Sequence, residues 1–240
     1  MRKFALITGA SGGIGQEISI KLAEEGYSLY LHYNQNKRRI NSLLDRLQAF
    51  DGEYIPIQAD LSVQGGYKKI IPNIFSLDAI IHNSGSAQYG LLTELPEAET
   101  EALMNLHVTS PLLLTKELLP KLISKGSGNV IVISSIWGQT GAACEVAYSA
   151  AKGAQIAFAK ALSKEVALSG VRVNAVAPGA VETAMLNDFT EEELDAVKSD
   201  IPMGRLALPA DIANSVSFLL SERASYITGQ VLAVNGGWYT

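Results

Sequence analysis

Short apolar or β-branched runs alternate along this chain with longer segments whose apolar residues recur at helical spacing. Phe4–Ile7 reads as a strand, followed by a helical pattern over residues 14–25 that Gly26 closes at a C-cap position. Ser28–Tyr33 reads as the next strand. Residues 37–50 form a helix with Ile40, Leu43, Leu44 and Leu47 on one face. Tyr54–Gln58 and residues 77–82 are strands around a short helix near 67–74. Residues 98–124 make a long helical stretch, predicted to bend or divide because Pro111 lies early in it and Pro120 late. The unbroken apolar run at 130–133 is that of a strand buried on both faces. A helix over 146–169, a strand over 171–177, an irregular stretch over 178–209, a helix over 210–220 and a strand Val231–Val234 complete the pattern.

Strand and helix in this alternation demand right-handed crossovers and a parallel sheet covered by helices on both faces. Seven strands and no visible linker predict one doubly wound α/β domain over residues 1–240. Ligands of such sheets bind at the carboxyl ends of the strands, so the loops that follow the strands carry the chemistry.

Composition narrows the choice of partner. The chain has 240 residues, 48% of them hydrophobic, and a formal net charge of −5. That balance argues against nucleic acid, whose phosphates need a basic footprint, and it offers no polybasic membrane anchor. No stretch approaches the ~18 apolar residues of a membrane span. Phe4–Ile7 is too short for a secretory core of roughly 7–15 apolar residues. The lone Cys144 can neither close an internal disulfide nor hold a metal by itself. A soluble, cytoplasmic protein without a metal is expected.

Thr8-Gly9-Ala10-Ser11-Gly12-Gly13-Ile14-Gly15 lies directly between the first strand and the first helix. Glycines there let the backbone approach a diphosphate, which the positive helix end and free N–H groups then hold. The spacing is Gly-x3-Gly-x-Gly, so the common Gly-x-Gly-x2-Gly fingerprint does not apply as written. After the second strand comes His32-Tyr33-Asn34-Gln35-Asn36-Lys37-Arg38-Arg39, with no acid before Asp45. An acid at that place would bind the ribose 2′-hydroxyl of NADH; its absence favours NADPH. Lys37–Arg39 can equally be the solvated first turn of a helix.

Tyr148 and Lys152 are four apart on one helix face, where an ammonium would favour the phenolate and lower the phenol's pKa. Spacing alone does not decide the matter, because Tyr33 and Lys37 share it. What separates the two pairs is Ser135, thirteen residues before Tyr148 and just past a buried strand. It stands at the carboxyl edge of the sheet, where Tyr33 has only Ile20 at the same offset.

These residues, with Asp60, His82-Asn83-Ser84-Gly85, Asn105, Pro178-Gly179-Ala180-Val181-Glu182-Thr183 and the Gly236-Gly237 ending, resemble the ordered motifs of the short-chain dehydrogenase/reductases over essentially the whole chain. The resemblance implies a Rossmann fold, a homotetramer and a carbonyl reduction. Ser135 and Tyr148 would hold the substrate oxygen and Tyr148 would donate the proton. Lys152 would bind the nicotinamide ribose and tune Tyr148, and Asn105 would support a water in the relay. Gly9, Ser11, Gly12 and Ile14 would take the diphosphate and ribose, Asp60 and Leu61 the adenine, and Asn34 the 2′-phosphate. Asn83 and Gly85 would line the ribose, Val181 and Thr183 would receive the carboxamide, and Pro178 and Gly179 would also border the cofactor. Two departures stand out: His82 replaces the first Asn of the usual Asn-Asn-Ala-Gly, and Gly12 stands where NADPH-preferring members often have Arg.

Within the family the chain resembles the 3-oxoacyl-(acyl-carrier-protein) reductases. His32-Tyr33-Asn34, Ser135-Ile136-Trp137-Gly138, residues 141–146 and Asn235-Gly236-Gly237-Trp238 together also resemble the bacterial enzymes that reduce a 5-aminopentanone group on a lysine of elongation factor P. Trp137, Cys144 and Glu145 should line the substrate pocket. Glu145 either pairs with a cationic amine or is a solvated loop or helix-N-terminal carboxylate. An acidic carrier protein would instead need basic residues at the entrance, for which Lys121, Lys125 and Arg172 are candidates. Residues 184–205, acidic and irregular at their ends, are expected to form a substrate lid.

Overall fold

The computed structural model describes residues 2–186 and 189–240. Its strands are β1 (Phe4–Ile7), β2 (Ser28–Tyr33), β3 (Tyr54–Gln58), β4 (Ala79–His82), β5 (Gly128–Ile133), β6 (Val171–Pro178) and β7 (Val231–Val234). They form one seven-stranded sheet in the order β3-β2-β1-β4-β5-β6-β7. Every neighbouring pair is parallel.

The unbroken apolar runs follow from burial on both faces. Along β1, Ala5 and Ile7 enter one core with Ile18 and Leu22 of helix α1 (Gly13–Glu24), Ile40 of α2 (Lys37–Leu47) and Val216 of α8 (Pro209–Leu220). Phe4 and Leu6 point the other way. They enter a second core with Leu114 and Leu118 of α4 (Ser110–Lys125) and Ala159 and Leu162 of α6 (Val146–Val166). Chain order reverses between β1 and β4, which opens a crevice at their carboxyl ends. No helix among the described residues is long and apolar enough to cross a membrane.

Four segments differ from expectation. The stretch over 98–124 is divided, but not at Pro120, which lies inside α4. The division is a π-helical turn, Asn105–Thr109, between α3 (Glu97–Met104) and α4. The short helix after β3 is a pair of 3-10 turns, Gly66–Lys69 and Ile71–Asn73. The stretch over 178–209 contains α7 (Glu191–Asp200), whose start is fixed by a capping box: Glu193 N–H donates to Thr190 Oγ1 at 3.2 Å and Thr190 N–H to Glu193 Oε2 at 2.8 Å. A four-residue helix α5 (Trp137–Thr140), not foreseen, follows Ser135.

Candidate active site

Side-chain bonds tie together the loops at the mouth of the crevice. Asn83 and Ser84 donate their backbone N–H groups to Thr8 Oγ1 at 3.0 and 3.1 Å. The Asn83 amide donates to the carbonyls of Thr8 and Gly9, each at 3.1 Å. Asn83 therefore acts as the clamp between the β1 and β4 loops. Gly9 has φ +67°, and a Cβ there would lie 2.8 Å from Ser84 Cα, so both conformation and close approach require glycine. His32 joins the same junction: its Nδ1 accepts from Gly9 N–H at 3.1 Å, which leaves Nε2 to donate to the Ala59 carbonyl at 3.0 Å. Burial lowers this imidazole to about 4 and keeps it neutral.

The glycine loop fits a nucleotide diphosphate. Gly12 is the N-cap of α1 and supplies no side-chain acceptor, and the first turn carries no acid. The first-turn N–H groups of Gly13 and Ile14 and the helix dipole thus remain available to an anion. Ser11 flanks them, and a Cβ on Gly13 would approach Thr183 Cγ2 to 3.1 Å, so the β6 loop lies over this turn. In that loop Val181 bridges to Ala207, Pro178 ends β6, and Gly179 packs on Asn235.

At the adenosine end, hydrogen bonds from Ser62 hold the Asp60 carboxyl below the usual carboxylate range, and Asn34 adds another. Ser62 N–H donates to Asp60 Oδ1 at 2.9 Å, so Asp60 also organises its own turn. The Leu61 side chain is buried in the core, leaving only its backbone to face a ligand. Lys37, Arg38 and Arg39 form the exposed first turn of α2, capped by Asn36, whose side chain accepts from Arg39 N–H at 3.1 Å.

Ser135, Tyr148 and Lys152 come together past β5. Trp137 N–H donates to Ser135 Oγ at 3.2 Å and fixes the serine. The Ser135 hydroxyl hydrogen-bonds the Tyr148 phenol, whose pKa burial nevertheless pushes up to about 12, with the Glu145 charge adding to the rise. Lys152 Nζ lies 5.5 Å from the centroid of the Tyr148 ring and donates to the Ile133 carbonyl at 2.8 Å. Burial pushes Lys152 down to about 7. The expected lowering of the phenol is therefore not what this arrangement gives. Burial dominates both groups, and the ammonium spends a bond on a backbone carbonyl. A phenol with a raised pKa is held protonated, the form a proton donor needs.

Asn105 is not brought to this trio. It lies in a cleft with Gln64, Gly65, Tyr67 and Glu101. The residue that reaches the site is His107, in the middle of the π-helical turn. Its ring meets that of Tyr148 at a centroid distance of 5.6 Å and an interplanar angle of 85°. The widened turn shifts the inward face of the helix by a residue, and nothing in the sequence periodicity announced it. His82, the other departure, is buried with Nε2 2.7 Å from Thr115 Oγ1.

A pair of indole rings borders the trio. Trp137 packs edge-on against Trp238 with centroids 5.3 Å apart. Glu145 occupies the N-cap position of α6, yet its side chain makes no cap bond. It is half-buried, its carboxyl raised by burial and partly drawn back by a hydrogen bond from Trp137. Cys144 beside it has a left-handed φ of 61°, and its carbonyl accepts from Gly90 N–H at 2.8 Å. Beyond these rings, residues 184–205 are not free at both ends. Ile201 is buried and Met203 N–H donates to the Gly236 carbonyl at 3.1 Å. Asn187 and Asp188 of the expected lid lie outside the described residues.

Of the basic residues considered for a carrier protein, Lys125 pairs with Asp78, just before β4, and Arg172 near the start of β6 donates to the carbonyls of Ile227 and Ser221. Both stand at the amino ends of the strands, the edge opposite Ser135.

Comparison with known proteins agrees with this fold. The family described as enoyl-(acyl carrier protein) reductase matches residues 9–239. The uncharacterised oxidoreductase YmfI of Bacillus subtilis is 54% identical over all of both chains. A 3-oxoacyl-[acyl-carrier-protein] reductase of Staphylococcus aureus is 34% identical over 100% of this chain and 99% of its own. That of Vibrio cholerae is 36% identical over 99% and 97%. The crystal structure of the angucycline C-6 ketoreductase LanV with bound NADP superposes with a TM-score of 0.92 at 27% identity, covering 98% of this chain and 95% of that one.

Proposed function

The chain belongs to the short-chain dehydrogenase/reductase family, and on that premise we propose that it reduces the ketone of a 5-aminopentanone group carried on a lysine of elongation factor P, using NADPH. The observation that carries this reading is Glu145. A carboxylate at a helix N-cap usually bonds the helix; this one is half-buried and turned to Trp137 instead, whose indole packs on Trp238, and it stands three residues from Tyr148. A carboxylate held against an indole suits a primary ammonium through charge and cation–π attraction together. An acyl-pantetheine chain offers no such cation.

NADPH, when bound, supplies the hydride. The chain's own groups do the rest. The Ser135 and Tyr148 hydroxyls hold the carbonyl oxygen, and Tyr148 passes its proton to the alkoxide as charge develops there. The Lys152 ammonium stabilises that charge. NADPH over NADH rests on the neutral and basic run Asn34–Arg39, and LanV, similar throughout, is a ketoreductase with bound NADP.

A second reading, 3-oxoacyl-(acyl-carrier-protein) reduction, is favoured by the names of the 34–36% identical relatives. The test offers purified protein and NADPH an acetoacetyl thioester and aminopentanone-bearing elongation factor P in parallel, following NADPH absorbance. Consumption with the modified factor supports the proposal. Consumption with the thioester alone overturns it in favour of the second reading.

A further inference from the structure

We propose that His107 is a positioning residue for the proton donor: its ring sets the Tyr148 phenol and ties it to the loop leaving β4. The inference deepens the reductase reading, on which it rests, and begins with a proline. In an α-helix the carbonyl of His107 would accept from the N–H of residue 111, but Pro111 has none. A buried carbonyl without a partner is costly. Here Gln155, three residues after Lys152 on α6 and itself buried, donates its side-chain Nε2 to the His107 carbonyl at 2.8 Å. The proline frees the acceptor and the glutamine fastens it, so the π-helical turn is pinned to the helix that bears Tyr148 and Lys152.

The pinned turn holds the His107 ring in the site. It is 1% exposed and stands edge-to-face with Tyr148. Nε2 lies 3.1 Å from the N–H of Ser86 and 2.9 Å from its carbonyl. Gly85 makes room for this contact, since a Cβ there would lie 2.8 Å from the His107 Cε1. One neutral nitrogen cannot donate and accept at once, so Ser86 is served by either of two tautomers. Nδ1 is buried without a partner. The ring therefore links three parts: the β4 loop, the phenol, and the lysine helix. Lys152 on α6, Glu145 at its cap and His107 are the titratable groups facing the phenol.

Misplacing a reacting group by about 1 Å costs on the order of 100-fold in rate. His107→Ala is accordingly expected to lower kcat by about 10- to 100-fold while the KM for NADPH changes by no more than about threefold. His107→Phe keeps an aromatic edge against Tyr148 and should recover most of the loss. A second readout needs neither substrate nor cofactor. In ultraviolet titration of the ligand-free protein, taken as a difference against Tyr148→Phe, the phenol of His107→Ala should ionise at lower pH than in the parent, because water reaches the ring. Unchanged kcat and unchanged titration in His107→Ala would overturn the proposal, as would a Phe variant as slow as the Ala variant. If His107→Ala does not fold, Gln155→Leu carries the same test, with the same fall in kcat and in the titration expected and unchanged values contradicting it. Because the titration is independent of the ketone, failure of the substrate assignment would leave this result standing.

Discussion

Lys152 donates from Nζ to the carbonyl of Ile133 at 2.8 Å, at the end of the strand that leads into Ser135. The next residue, Ser134, returns the contact by donating from Oγ to the Lys152 carbonyl at 2.9 Å. The lysine is thus gripped at both ends by β5, and its ammonium is held below the Tyr148 ring with little freedom to move.

Burial pushes this ammonium down to about 7, so it loses its charge near neutrality. Reduction needs the cation beside the developing alkoxide. The kcat/KM for ketone reduction is expected to fall as pH rises through about 7, and Lys152→Arg, which stays charged, should lose that limb even if it is slower throughout. A pH–rate profile of the two proteins checks this. A flat parent profile between pH 6 and about 8.5 would contradict it.

Tyr148 and Ser135 divide the work on the substrate oxygen. Tyr148→Phe removes the proton donor and should lower kcat by about 100-fold or more. Ser135→Ala removes one hydrogen bond to the alkoxide and should cost about 100- to 1,000-fold. Neither should weaken NADPH binding measured by cofactor fluorescence to a comparable degree. Undiminished activity in Tyr148→Phe would sink the mechanism.

Three imidazoles are kept neutral by burial: His32 at about 4, His82 at about 3 and His107 at about 3. The unfolded chain takes a proton at each as pH drops below about 6.5, whereas the fold does not. More protons on the unfolded side mean that stability falls with falling pH over this window. Each ring contributes up to about 1.4 kcal/mol per pH unit. Denaturant midpoints measured from pH 7 to about 4.5 should drop steadily, and His82→Gln should lessen the slope. A midpoint independent of pH over that range would contradict the assignment of neutral rings.

The sheet was legible because its strands are short, largely apolar runs and Gly9 and Gly26 punctuate the ends of the first elements. Ser135, Tyr148 and Lys152 were legible because a strand end and a helix face converge on one edge. Tuning of the phenol was not, since spacing carries the sign of a neighbour's charge but not the depth at which both groups are buried. Asn105 illustrates a second limit: the residue that meets Tyr148 is His107, inside a widened turn, and helical periodicity has no term for such a turn. The signals that could have exposed it were Pro111 and the buried polar Gln155, which make sense only as a pair. The start of α7 was readable from Thr190 and Glu193 as a capping box, a signal hidden beneath the acidic run around it.

The most direct measurement of the substrate assignment compares an ω-aminoketone with its uncharged isostere in the parent protein and in Glu145→Gln. The parent should prefer the amine by about 10-fold or more in kcat/KM, as expected for a charge-assisted contact worth about 1.5–3 kcal/mol, and the variant should lose that preference through KM while its rate on the neutral ketone is kept. A Glu145→Gln protein with an undiminished preference for the amine would contradict the account.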